Sequence, residues 1–209
     1  MEDLVQKLPF IINPNLRLHS PNFKISWHVI DFNILQTEAS FDSVGRQTLC
    51  YNRKCEIITQ YNQGQLDIIY SNQTNWNTLK LQRWVRMVIR DSIIKRAEEV
   101  LPMRLHHWEQ MKNLYASKVM VSSKLRKNVM GNCSVKKEIR LAPIIILFPQ
   151  NYLDEVILHE MAHLKHMHHR KSFWEYLSVL LGKDAKQSQK ESCLFFGKYA
   201  ELFYFIMKK

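Results

Sequence analysis

The sequence predicts an α+β fold with an antiparallel β region at the N-terminus, a small sheet beside a histidine-bearing helix, and helices at the C-terminus. Three observations predict it. Apolar residues in the first 75 positions alternate with polar ones in short runs, as in half-buried strands. From Trp76 they recur at steps of three and four, the period of an amphipathic helix. His159-Glu160-Met161-Ala162-His163 spaces two histidines four apart, which on a helix puts both imidazoles on one face. With 209 residues, 46% of them hydrophobic, the chain has material for one integrated domain, residues 1–75 packing on a core of residues 76–209.

Phe23-Lys24-Ile25-Ser26-Trp27-His28-Val29-Ile30 predicts the first strand. Glu56–Tyr61 and Leu66–Tyr70, joined by Asn62-Gln63-Gly64-Gln65, read as a hairpin with a glycine-containing turn. His19 and His28 stand alone there and read as structural. Leu81, Trp84, Val85, Val88, Ile89 and Ile93, with Arg83, Arg86 and Arg90 between them, predict a helix running to about Val100. Pro102 then opens a second helix, where its missing N–H costs little, with Leu105, Trp108, Met111 and Tyr115 as the core-facing stripe. Val119-Met120-Val121 and Glu138-Ile139-Arg140-Leu141 read as short strands bracketing Gly131. Beyond Gly182, Asp184 and Gln187 mark another capped helix. Cys193, Phe196, Ala200, Phe203 and Met207 make one seam on it, widened by Phe195, Tyr199, Leu202 and Phe205. A helix this aromatic is expected to be buried in its own chain, a homodimer being the alternative.

Histidines four apart differ by about 40° around a helix and about 6 Å along it, so both reach one ion. Glu160 projects beside that ion without occupying it. This is the H-E-x-x-H arrangement of zinc peptidases, in which the glutamate takes a proton from a water activated by the metal. Asn151 is an N-cap candidate, Asp154 and Glu155 suit the positive end of the helix dipole, and Val156, Ile157, Met161 and Leu164 form a stripe that buries the helix. Catalytic zinc usually keeps three protein ligands, and His166, His168 and His169 are the candidates for the third. His166 would lie about 10 Å along the axis from His159 and needs a deformed last turn. Ser172-Phe173-Trp174-Glu175 reads as a capping box that opens a new helix, which leaves His169 in a connecting turn able to point backward.

Ile157-Leu158-His159-Glu160-Met161-Ala162-His163-Leu164, then His169 and Phe173-Trp174, resembles the YgjP-like zinc metallopeptidases, relatives of the SprT-like and Wss-type peptidases among the zincins. Met130-Gly131-Asn132-Cys133-Ser134 and Ile139-Arg140-Leu141-Ala142 correspond to that family's W-G-S-C-S and I-R-L-N segments, with the tryptophan, first serine and final asparagine replaced. The register is good over roughly residues 76–182 and loose over the first 70. The resemblance implies a zincin-like core, one Zn²⁺ per chain held by His159, His163 and His169, Glu160 as general base, and hydrolysis of peptide bonds in a peptide or unfolded-protein substrate. It also assigns the binding of an extended substrate, by addition to a sheet edge, to Ile139, Arg140 and Leu141. Cys133 reads as packing. No tyrosine is assigned to oxyanion stabilisation; Tyr152 and Tyr176 have other helix duties.

The net charge of +11 is uneven: residues 1–100 hold 12 Lys and Arg against 10 Asp and Glu, and residues 101–209 hold 18 against 9. Between Lys118 and Arg140 seven basic residues, including Lys124, Arg126, Lys127, Lys136 and Lys137, face one acid, Glu138. This run suggests nucleic-acid binding, and with it a DNA-associated SprT-like protease or a non-catalytic, zinc-stabilised adaptor for nucleic acid or protein. Solvated lysines along strands are the favoured reading, since no arginine–aromatic interleaving accompanies them. No apolar run approaches a bilayer span, Met1–Val5 does not open a secretory signal, and the cysteines at 50, 55, 133 and 193 form no disulfide framework. A cytoplasmic, membrane-free protein with reduced thiols is expected.

Overall fold

Alternating Ile, Leu and aromatic residues pair as strands in the first part of the chain. In the computed structural model, which describes residues 10–31, 47–51, 56–123 and 129–208, β1 (Lys24–Ile30), β2 (Gln47–Cys50), β3 (Ile57–Asn62) and β4 (Gln65–Ser71) form a sheet in the order β1-β4-β3-β2. β3 and β4 are the expected hairpin. Gln63 and Gly64 both take positive φ, 45° and 89°, the two-residue turn whose twist matches the strands it joins. Ile57, Ile58, Leu66 and Ile68 are buried. The region was expected to be antiparallel and is only partly so: β1 runs parallel to β4, from Lys24 opposite Gln65 to Ile30 opposite Ser71. Alternation assigns residues to faces but does not encode the direction of a neighbouring strand, which depends on how the intervening chain returns.

α1 (Leu79–Lys112) is one helix where two were expected, with Pro102 inside it. A proline in a helix interior costs about 3 kcal/mol, through a lost N–H and a clash with the carbonyl four residues back. Leu81, Val85, Ile89, Ile93, Ala97, Leu101 and Leu105 recur every four residues and all are buried. The apolar stripe therefore keeps its phase through the proline, and burying several such side chains offsets the local cost. Glu98, whose carbonyl loses its partner, is exposed. The expected continuation of the stripe fails: Met111 and Tyr115 are exposed. The helix stops at Lys112, Asn113 takes φ 47°, and the buried Glu109 accepts the Ala116 N–H at 2.8 Å, turning the chain away.

The chain divides inside this helix into two compact units, one ending at Ile93 and the other running from Ile94 to Met207. The second unit holds β5 (Lys118–Val121), β6 (Gly131–Cys133) and β7 (Glu138–Leu141) in the order β5-β7-β6, with β5 parallel and β6 antiparallel to β7. A buried 3₁₀ turn, Pro143–Leu147, leads to α2 (Gln150–Ala162), α3 (Lys171–Leu181) and α4 (Ala185–Met207). α3 ends on Gly182 at φ 70°, the left-handed position glycine favours. Asp184 then caps α4 as expected, accepting the Gln187 N–H at 2.7 Å. Phe148 meets Phe195, Phe196 and Phe203 of α4 at ring distances of 5.6–6.0 Å, so part of the aromatic surface is used within the chain. Cys193, expected in that seam, is exposed. Lys124, Arg126 and Lys127 of the basic run, Cys55, and Met1–Val5 lie outside the described residues. Among the described residues no helix is long and apolar enough to cross a membrane.

Candidate metal centre

Packing, rather than a cap, holds α2 in place. It starts behind Pro149 with no side-chain cap, so Asn151 does not cap it and Asp154 and Glu155 fall beyond its first turn, contrary to expectation. Both acids serve longer-range pairs. Asp154 accepts Arg104 through both oxygens at 2.6 Å, and also Trp108 Nε1 at 3.1 Å and Gln150 Nε2 at 3.2 Å. Glu155 accepts Lys183 Nζ at 2.7 Å. These bonds tie α2 to α1 and to the α3–α4 connection, while Leu153, Ile157, Leu158, Met161 and Ala162 are buried.

His159 lies in the last turn of α2 and His163 is its C-cap. The chain then doubles back. Nitrogens of His159, His163 and His169 all lie within 4.8 Å of one another, and His159 Nε2 is 3.0 Å from His169 Nε2. Two ligands about 2.05 Å from one tetrahedral zinc stand roughly 3.3 Å apart, so the spacing suits a shared ion. His163 Nδ1 is 2.8 Å from the His166 carbonyl, which can only accept; Nδ1 therefore carries the proton, and Nε2 is left to face the other rings. The buried ring of Phe173 lies 4.6–5.0 Å from all three imidazoles and forms the floor of the cluster. Trp174 Nε1 donates to the His169 carbonyl at 3.0 Å, pinning the turn.

Of the three candidate third ligands, His169 alone enters the cluster among the described residues. The His166 ring packs on Tyr176 at 5.4 Å and on His168 at 6.2 Å, and its contribution is its carbonyl. Tyr152 packs on Phe195. The capping box does not form: α3 starts at Lys171 with Arg170 at the cap and no side-chain bond, and Glu175 faces Lys171 at 3.6 Å instead. The tight turn behind His169 begins the helix before Ser172 can cap it.

Desolvation lowers the pKa of all three imidazoles, the exposed His169 included, and so favours their neutral form. The pKa of His159 falls to about 3, chiefly from burial and then from His163 and His169, and burial is also the leading cause of the lowered values of His163 and His169. Neutral imidazoles offer the lone pairs that a borderline-soft divalent ion requires, so the donor set fits zinc with a coordination position left over.

Glu160 is 5% exposed, and its Oε2 is buried with no hydrogen-bond partner among the described residues. Burial raises its carboxyl pKa to about 8. Its side chain lies against Gly131 of β6. A lone glycine in a strand signals close approach of another group, but which group approaches is not encoded in the sequence. Cys133, two residues on, is pushed up to about 11 by burial first and by Glu160 second, which keeps its thiol protonated, as suits packing.

Edge binding of substrate does not fall on Ile139, Arg140 and Leu141. β7 is the central strand, paired on both sides, with Ile139 and Leu141 buried and Arg140 held by Glu138 at 2.9 Å. A four-residue strand reads alike from sequence whether it lies at the edge or in the centre, because only pairing distinguishes the two.

A family model described as YgjP-like, metallopeptidase domain, matches residues 24–191, a span that takes in β1 as well as the histidine cluster. No curated protein and no solved structure matches the chain.

Proposed function

We propose that this chain, which belongs to the YgjP-like metallopeptidase family, hydrolyses peptide bonds with one zinc ion held by His159, His163 and His169 and with Glu160 as general base. The observation that carries the reading is the convergence of three imidazoles within 4.8 Å, drawn from a helix that also buries the Glu160 carboxyl with no hydrogen-bond partner for its Oε2 among the described residues. Zinc held there would supply Lewis acidity, which lowers the pKa of a water to about 7 and polarises a carbonyl. Glu160, its ionised form favoured by the positive charge of a bound zinc, would then take the proton of the attacking water and return it to the leaving nitrogen. The His166 carbonyl keeps His163 in its ligating tautomer, and Phe173 excludes water from behind the three rings.

The substrate fits an extended peptide or unfolded protein laid along β6. Among the described residues β6 has a strand neighbour on one side only, and its first residue touches Glu160. Backbone pairing at that edge would bind many sequences, so selectivity is expected to be weak. The fold reading that goes with this is a zincin-like core.

Zinc analysis run beside casein cleavage tests the proposal. The wild type should carry one zinc per chain and cleave. Glu160→Gln should keep the zinc and lose about 10³-fold or more in kcat. Undiminished cleavage by that variant would rule the mechanism out, and a zinc-loaded wild type that cleaves nothing would favour a zinc-stabilised adaptor. Added single-stranded DNA should leave the rate unchanged.

A further inference from the structure

Gly131 meets the side chain of Glu160 at closer range than any other residue type would allow. A Cβ at position 131 would stand 2.7 Å from Glu160 Cγ, 2.9 Å from Oε1 and 3.0 Å from Cδ. Carbon atoms in contact prefer about 3.5–4.0 Å. Backbone conformation does not explain the glycine, since the positive-φ glycines among the described residues are Gly64 and Gly182. Space explains it.

The helix cannot retreat to make room. Ile157, Leu158, Met161 and Ala162 are buried, Asp154 is held by Arg104, and His163 is held by the His166 carbonyl. A Cβ at position 131 must therefore displace the Glu160 side chain. Carboxylates at fixed positions are usually aimed by donors, yet Glu160 Oε2 has none among the described residues. Contact with the strand stands in for those bonds.

We propose that Gly131 is a positioning residue: the side chain it lacks is the slot that selects the rotamer of Glu160, and so sets the point from which the carboxylate reaches a proton. The inference rests on Glu160 acting as the base. It predicts that zinc-loaded Gly131→Ala keeps its metal, since no ligand comes from β6, and loses about 100-fold in kcat with KM little changed.

A readout independent of activity comes from melting the zinc-free protein. Gly131→Ala should lower the melting temperature in the wild-type background and leave it unchanged in a Glu160→Ala background, where the obstructing side chain is gone. Should Gly131→Ala alone fail to fold, Gly131→Ala/Glu160→Ala should still fold and melt with Glu160→Ala. An equal fall in both backgrounds, or wild-type kcat in Gly131→Ala beside an inactive Glu160→Gln, overturns the positioning role while leaving the general base intact. Full activity of Glu160→Gln would instead remove the general base itself.

Discussion

Helix α2 buries two glutamates on consecutive stretches and treats them in opposite ways. Glu155 meets Lys183 at 2.7 Å, alongside an Asp154 clasped by Arg104. Glu160, about one and a half turns on, meets a glycine, and no cation pairs with it among the described residues. The first half of the helix spends its acids on attachment; the second half keeps its acid available. A buried carboxyl without a partner is costly to ionise, which is why its pKa is raised, and such a group is where the proposed proton transfer would be sought.

The sharpest way to break the comparison is His163→Ala. It should abolish zinc retention and reduce cleavage to background while the attachment half stays intact, as metal analysis and circular dichroism would report. Next comes pH. The Glu160 carboxyl sits near 8 in the folded, metal-free protein against 4.5 for the free group, so the folded state holds a proton that the unfolded chain releases between those values. Relative to Glu160→Gln, zinc-free wild type should therefore lose stability as pH rises from 4.5 to 8, by up to a few kcal/mol. The gap between their melting temperatures should open with rising pH in favour of the variant. The His159 effect has the opposite sign, stability being lost as pH falls from 6.5 towards 3, and it cancels because both proteins share it.

Smaller effects belong to the attachment half. Asp154→Ala leaves Arg104, Trp108 and Gln150 without their acceptor and should cost about 2 kcal/mol, or roughly 4–8 °C in melting temperature. Activity per folded molecule should persist; loss of kcat in the folded fraction would merge the two halves into one functional unit. Glu155→Gln should cost least, about 1 kcal/mol or below, because Lys183 is half-exposed and water answers much of its charge. A urea titration distinguishes the two variants.

The elements that were legible from sequence are those decided within a turn or two. The β3–β4 hairpin follows from Gln63-Gly64, the Asp184 cap from its distance to Gln187, and the shared face of His159 and His163 from four-residue spacing. The same local reasoning misplaced the Ser172 cap and split α1 at Pro102. A cap is lost where a turn tightens, and a proline is overruled where a stripe of burial runs through it. His169 was singled out by family resemblance, since spacing alone left three histidines open.

By itself, then, the sequence determined the histidine-bearing helix, the acid beside its first histidine and the periodicity of most elements, because backbone hydrogen bonds and side-chain faces repeat over a few residues. Tertiary structure alone decided the return of His169, the partners of Asp154 and Glu155, the direction of β1, the central place of β7 and the fit of Glu160 against Gly131. Each of these depends on which distant segment fills a given space, and close packing settles that only when the whole unit assembles.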